Sequence, residues 1–245
     1  MLTFLIKLKN ITLDILFPPF CVNCQQHLDN RDKLICDNCY ASIKLNNTLF
    51  CPVCRTRLAE NKQICHFASY LLASAGNYDD PVLQNLIRFF KFKSLENLSP
   101  ILGKILIKYL NSLNPIRQLA DYILNPKSFI IIPIPLHPQR KRERGFNQAE
   151  LLAKFVSDNL NLEMIDGLKR IKNTEPQSKS KNRESRLKNI SGCFKINPLA
   201  EINVKNKNII LVDDVFTSGA TMNEAIKILK SNGAKKIIAL VLAKT

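Results

Sequence analysis

The stretch from Asn208 to Thr221, NIILVDDVFTSGAT, constrains the fold more than any other part of the chain. Ile209, Ile210, Leu211 and Val212 form the kind of apolar run that makes a buried strand of a parallel sheet. Two carboxylates, Asp213 and Asp214, follow it, and then a loop of small residues: Thr217, Ser218, Gly219, Ala220 and Thr221. An amphipathic run comes directly after, with Ala225, Ile226, Ile228 and Leu229 as its apolar face and Gly233 as its stop. Strand, small-residue turn and helix start together build an anion site. Backbone N–H groups of the turn and the helix N-terminus converge on one spot, where the helix dipole also favours a phosphate. Small side chains let the phosphate approach, and the hydroxyls of Thr217, Ser218 and Thr221 add hydrogen bonds. The acid pair can accept from two adjacent sugar hydroxyls, which suits a phosphorylated ribose, or hold Mg²⁺ through water. A plain Gly-containing turn with two capping aspartates is the alternative; the agreement of acid pair, loop, strand and helix favours the ligand site.

The same residues resemble the motif of type I phosphoribosyltransferases that binds 5-phosphoribosyl diphosphate (PRPP), in which two acidic residues precede a Thr/Ser/Gly-rich loop. The resemblance implies a ribose-5-phosphate cradle. Asp213 and Asp214 would take the ribose hydroxyls, Thr217, Ser218, Gly219, Ala220 and Thr221 would surround the 5-phosphate, and Mg²⁺ would accompany PRPP.

The cysteines carry the second signal. Cys21 and Cys24 form one CxxC pair, Cys36 and Cys39 a second, Cys51 and Cys54 a third, and successive pairs start fifteen residues apart. That spacing reads as a repeated knuckle-bearing hairpin. Cys21, Cys24, Cys36 and Cys39 supply the four thiolates of a tetrahedral structural Zn²⁺, and reduced CxxC pairs point to a reducing compartment. The repeat then breaks down, because Cys51 and Cys54 are followed by Cys65 and His66 in place of a fourth pair. Two readings of that half stand side by side: a second metal site, or a degenerate ribbon with buried thiols. His27 reads as a surface residue.

At 245 residues the chain suits one medium α/β domain with a small appendage, divided as 1–70 and 71–245. The first twenty residues are apolar but interrupted by Lys7, Lys9 and Asp14, too short a span for a membrane crossing, and no small-residue cleavage site follows. An amphipathic helix packed on the body of the protein is the preferred reading over a membrane-surface anchor. Asp80-Pro81 and Ser99-Pro100 mark helix starts, Phe129 to Ile134 and Lys236 to Ala243 are buried strands, and Cys193 is a core thiol. A net charge of +16 predicts a polyanionic partner. The cations concentrate in Arg140, Lys141, Arg142 and Arg144, and in a polar run from Leu168 to Phe194 with eight Lys or Arg against two Glu, including Lys179, Lys181, Arg183 and Arg186. The first group follows a buried strand, and should therefore face the same crevice as Asp213. Guanidinium groups suit diphosphate or nucleic-acid phosphates, and Phe146 is an aromatic beside them that could stack a base. His137 reads as a loop residue near this crevice, not as a catalytic base.

Three blocks taken together, CVNC…CDNC, PIPLHPQRKRERGFNQAELLA, and LKRIKNTEPQSKSKNRES…N followed by VDDVFTSGAT, resemble the ComF family over nearly the whole chain. The resemblance implies a parallel sheet of the type I phosphoribosyltransferase kind flanked by helices, with an N-terminal zinc ribbon. It further implies a role in bacterial DNA uptake during natural transformation, on the cytoplasmic side and peripheral at the inner membrane. There the protein would handle incoming single-stranded DNA with an uptake helicase and a strand-processing protein as partners. An active PRPP-dependent phosphoribosyltransferase is the competing reading; no residue pattern singles out its acceptor or a general base.

Overall fold

The computed structural model describes residues 18–58, 66–93, 95–113, 129–174 and 190–245. The helix expected before Pro18, Cys65, and the cations Lys179, Lys181, Arg183 and Arg186 lie outside the described residues. Within them the chain runs through α1 (Asp37–Ser42), β1 (Leu71–Asn77), α2 (Pro81–Phe92), α3 (Ser99–Ser112) and β2 (Phe129–Pro133). It continues through α4 (Pro138–Arg144), α5 (Gln148–Leu160), β3 (Glu163–Met164), β4 (Leu168–Arg170), β5 (Phe194–Ile196) and α6 (Glu201–Val204). It ends with β6 (Asn208–Phe216), α7 (Ala220–Ser231) and β7 (Ile237–Lys244).

Five strands form one sheet in the order β1-β7-β6-β2-β3, every neighbouring pair parallel. Because side chains alternate across a strand, each strand feeds two cores. Ile131, Ile210, Val212, Ile238 and Leu240 pack on one face with Leu86 of α2, Leu106 of α3 and Val156 of α5. On the other face Ile132, Ile209, Leu211, Ala239 and Val241 pack with Ala225, Ile226 and Leu229 of α7. The β4–β5 hairpin, antiparallel, adds Leu168 and Phe194 to this second core. Burial on both faces explains why these strands are unbroken aliphatic runs. No helix among the described residues is long and apolar enough to cross a membrane.

The sequence signals for helix starts act as expected. Asp80 caps α2, its carboxylate accepting from the Leu83 N–H at 3.0 Å, with Pro81 at the first turn. Two boundaries differ from the sequence reading. The Arg140–Arg144 stretch is helical, not a loop: His137 caps it, its ring Nδ1 accepting from the Gln139 N–H, Pro138 opens it, and Gly145 at φ +83° ends it. Asp213 and Asp214 lie inside β6, not after it, because the backbone ladder to β7 continues to Phe216 opposite Lys244.

Strand order decides where a ligand site can form. The path from β2 to β3 moves one way along the sheet, and the path from β6 to β7 moves the other. Between β2 and β6 the carboxyl ends therefore part and leave a crevice.

Candidate functional site

A cavity of about 560 Å³ opens at that point, lined by Asp213, Asp214, Thr217 and Thr221 from β6 and its loop, by Arg140 and Arg144 of α4, and by Lys91, Phe92 and Arg170. Asp214 is buried, and its carboxylate pairs with Lys91 Nζ at 2.8 Å. Asp213 is half-buried, and its Oδ1 accepts the Asp214 N–H at 2.8 Å. Burial first, and then the charge of Asp214, push the Asp213 carboxyl up to about 7, against the opposing pull of Lys91. One acid of the pair thus carries a matched cation, while its neighbour holds a proton near neutrality.

The loop that follows is built of small residues around a left-handed turn. Gly219 sits at φ +79°, and a Cβ there would come within 2.8 Å of the Phe216 ring, so the position admits glycine alone without rearrangement. Gly219 is also the residue ahead of α7 and has no side chain of its own to cap that helix. Ser218 Oγ accepts from the Ala220 N–H at 3.4 Å, which turns the hydroxyl toward the loop backbone. Thr217 and Thr221 line the cavity.

Across the crevice, Arg140 and Arg144 stand four residues apart on α4 and share a face, whereas Lys141 and Arg142 point elsewhere. Arg140 donates to the Thr174 carbonyl. Arg144 donates to Gln148 Oε1 at 3.2 Å and lies over the Phe92 ring, 5.8 Å from its centre. Lys141 pairs with Glu150 at 2.8 Å and, with Arg142, borders a separate shallow recess. Of the four basic residues expected in the site, the structure brings two into it.

Two cations that the sequence places only within longer basic runs complete the wall. Lys91 resembles its neighbours Arg88 and Lys93 in sequence; only its helical position turns it to Asp214. Arg170 ends β4, reaches Thr174 Oγ1 at 2.6 Å, and has a buried Nε with no hydrogen-bond partner among the described residues. Burial pulls the Arg170 guanidinium below its usual value, against Cys193 and Asp213, and burial together with Arg170 does the same to Arg140. Arg140, Arg144 and Arg170 thus crowd one wall of the cavity. Phe146, expected as a stacking aromatic, is instead buried against Phe90, with ring centres 5.3 Å apart. Phe92, 66% exposed, and the half-buried Tyr78 are the aromatics that line the crevice.

The cysteine segment forms two knuckles. The sulfurs of Cys21, Cys24, Cys36 and Cys39 lie within 4.8 Å of one another, and Cys24 and Cys36 approach to 3.7 Å. A tetrahedron of thiolates around Zn²⁺ has edges of about 3.8 Å, so this donor set fits the ion. N–H groups of Cys36 and Cys39 point at the sulfurs of Cys21 and Cys36, both at 3.4 Å. Burial raises the Cys21 thiol, but N–H donors from Cys24, Cys36 and Asn23 outweigh it and bring it to about 6, closer to the thiolate a metal needs. Asn23 reaches Cys39 Sγ at 3.3 Å and Asn85 of α2 at 2.9 Å, which seats this ribbon on the α/β body. Cys51, Cys54 and His66 form a second cluster within 4.8 Å. His27 is exposed, edge-on to Phe20.

Fold and crevice define the class: an α/β domain of the phosphoribosyltransferase kind behind an N-terminal ribbon whose cysteines fit a structural zinc. Comparison with known proteins agrees in both parts. Residues 146–245 match the family described as phosphoribosyl transferase domain, and residues 12–68 match the double zinc ribbon domain. Competence protein F of Haemophilus influenzae is 29% identical over 231 residues, covering 91% of this chain and 96% of that protein. Competence protein ComFC of Bacillus subtilis is 29% identical over 221 residues, covering 82% and 80%. The DNA utilization protein YhgH of Escherichia coli K12 is 27% identical over 239 residues, covering 93% and 98%. These resemblances, running over most of the chain in both parts, support a ComF family protein.

Proposed function

We propose that this protein is a competence-related factor that handles incoming single-stranded DNA, using a crevice built to take a phosphorylated ribose. The observation that carries the reading is the meeting of opposite chemistries in one place. Asp213, Asp214 and the Thr217–Thr221 loop supply acceptors and amides for a ribose phosphate. Arg140, Arg144 and Arg170 bring three guanidiniums to the same cavity. A phosphoribosyl unit presents both halves of that complement, and PRPP with Mg²⁺ presents it most fully. The sugar–phosphate repeat of a DNA strand presents phosphates to the same arginines, and Lys179, Lys181, Arg183 and Arg186 are four further cations suited to phosphates. The names of the relatives, competence proteins and DNA utilization proteins, support the cellular setting. In that setting the protein works on the cytoplasmic side, peripheral to the inner membrane, with an uptake helicase and a strand-processing protein.

A second reading, PRPP-dependent phosphoribosyl transfer, is favoured by the width of the crevice. About 560 Å³ exceeds what a ribose phosphate fills, and Phe92 and Tyr78 line the remainder, where a flat acceptor would stack. Positioning and charge stabilisation of departing diphosphate by the three arginines would then supply the catalysis.

Competition decides between them. Labelled single-stranded DNA and Mg²⁺–PRPP are titrated in one buffer, each against the other. Mutual displacement is the expected result and places both in one crevice. PRPP binding without DNA affinity at modest salt would leave the transferase reading in front, and binding of neither would remove the crevice from both.

A further inference from the structure

The second knuckle repeats the backbone of the first. In the first, the Gln25 N–H donates to the Cys21 carbonyl at 2.9 Å with Gln25 at φ +60°; in the second, the Arg55 N–H donates to the Cys51 carbonyl at 2.8 Å with Arg55 at φ +61°. The flanking bridges match as well, Phe20 to His27 and Phe50 to Arg57. A left-handed conformation is unfavourable for a residue with a side chain, so the knuckle, not the residue, sets this geometry. What differs is the side chain projected from it. Gln25 is exposed, whereas Arg55 crosses to the end of the sheet. There its guanidinium donates to the Thr217 carbonyl at 2.5 Å and the Thr245 carbonyl at 2.6 Å, and lies 5.9 Å from the centre of the Phe216 ring. Thr217 opens the loop in which Gly219 and Thr221 sit. Phe50 anchors the knuckle's base, exchanging N–H···O bonds with Leu72 of β1 at 2.8 and 3.1 Å.

We propose that the second knuckle is a metal-set clamp on the crevice loop. A thiophilic divalent cation, zinc by donor type, binds Cys51, Cys54 and His66 and fixes Arg55, and Arg55 holds the loop at Thr217. Cys51 Sγ and His66 Nδ1 already lie 3.5 Å apart, and the three described donors leave one position of a tetrahedron for a further ligand. Metal occupancy of this knuckle and ligand binding in the crevice are then thermodynamically linked, each strengthening the other by the same factor. Arg55 is a positioning residue. The ligand half of this linkage rests on the crevice reading above; the clamp half does not.

Hydrogen exchange on the full chain tests the clamp. Arg55→Ala is expected to speed exchange at residues 217–221 by about tenfold or more while the core amides of β6 and β7 keep their rates, the mark of a local opening. Cys51→Ser with Cys54→Ser should give the same local effect, and combining it with Arg55→Ala should add little, because both act through one contact. Unchanged loop exchange in Arg55→Ala, acceleration spread evenly over the sheet, or simple additivity would each overturn the clamp. For the linkage, Mg²⁺–PRPP should slow zinc loss from wild type several-fold and leave Arg55→Ala unaffected. Equal slowing in both proteins would break the linkage, whereas failure of Mg²⁺–PRPP to bind wild type would sink the crevice reading and leave the exchange comparison standing.

Discussion

Asp213 holds its proton where most carboxylates have lost theirs. Its carboxyl stands at about 7 through burial and the neighbouring Asp214 charge, so between roughly pH 4 and 7 the native state binds a proton that the unfolded chain does not. Stability contributed by this group therefore falls as pH rises through that window. Ligand binding runs the other way, since an ionised carboxylate accepts from ribose hydroxyls, and holds Mg²⁺, more strongly than a protonated carboxyl. Affinity for Mg²⁺–PRPP is expected to rise towards pH 8, weakening by up to about tenfold per unit below 7. Calorimetry in buffers of different ionisation heat should show net proton release at neutral pH. Asp213→Asn run alongside removes the part due to this residue and leaves titration of the ligand's own phosphates, so identical profiles for the two proteins would refute the assignment. Phe92 offers a second test at this scale. The chain has no tryptophan, so Phe92→Trp places a single indole at the crevice mouth. Its fluorescence should be quenched by single-stranded DNA if a base stacks there; unchanged emission at saturating DNA would place the bases elsewhere. Lys91 was legible only as one of three cations along α2, open to a solvated or a phosphate-facing reading, and Phe92 not at all, until the turn of α2 against β6 sorts them.

Elements were easier to read than residues wherever local chemistry alone fixes them. The strand aliphatics, the Asp80 cap and the Gly233 stop, at φ +85°, behave as their types require. Misreadings fall where the backbone overrides side-chain character. Charges at the end of β6 look like a loop, yet ladder bonds to β7 are indifferent to side chains and carry the strand past the acid pair. Five charged residues within Pro138–Arg144 hide a helix that His137, Pro138 and Gly145 define at its ends. The ribbon was legible because metal ligation dictates cysteine spacing directly. With so little core of its own, its folding depends on the ion. Cys36→Ser with Cys39→Ser should abolish zinc binding at the first knuckle, read with a chromophoric chelator, and expose residues 21–43 to proteolysis. Since Asn23 ties this ribbon to Asn85 of α2, the loss should also lower the melting temperature by several degrees. A protein that keeps both its protection and its melting temperature without the metal would show that the sulfurs merely cluster.

Across the whole molecule a net charge of +16 could act as a diffuse cloud or as a focused track, and the two differ in what single substitutions do. In a diffuse field Arg142 matters as much as Arg144. In a track, the cations that line the crevice carry the phosphates, and those on the far side of α4 carry few. For a single strand, each phosphate contact adds about 0.7 to the slope of log affinity against log salt. Replacing Arg140, Arg144 and Arg170 together by Ala should therefore lower that slope by about 2, while Lys141→Ala with Arg142→Ala, which among the described residues meet Glu150 and a shallow recess, should lower it by well under 1. Filter binding of a short oligonucleotide between roughly 50 and 200 mM salt gives both slopes. Equal losses from the two sets would mean that the sheet's switch point concentrates acids and loops without concentrating DNA, and the phosphate track would then have to run over the 175–189 segment instead. A loss confined to the first set ties the charge, the strand order and the acid pair to one crevice.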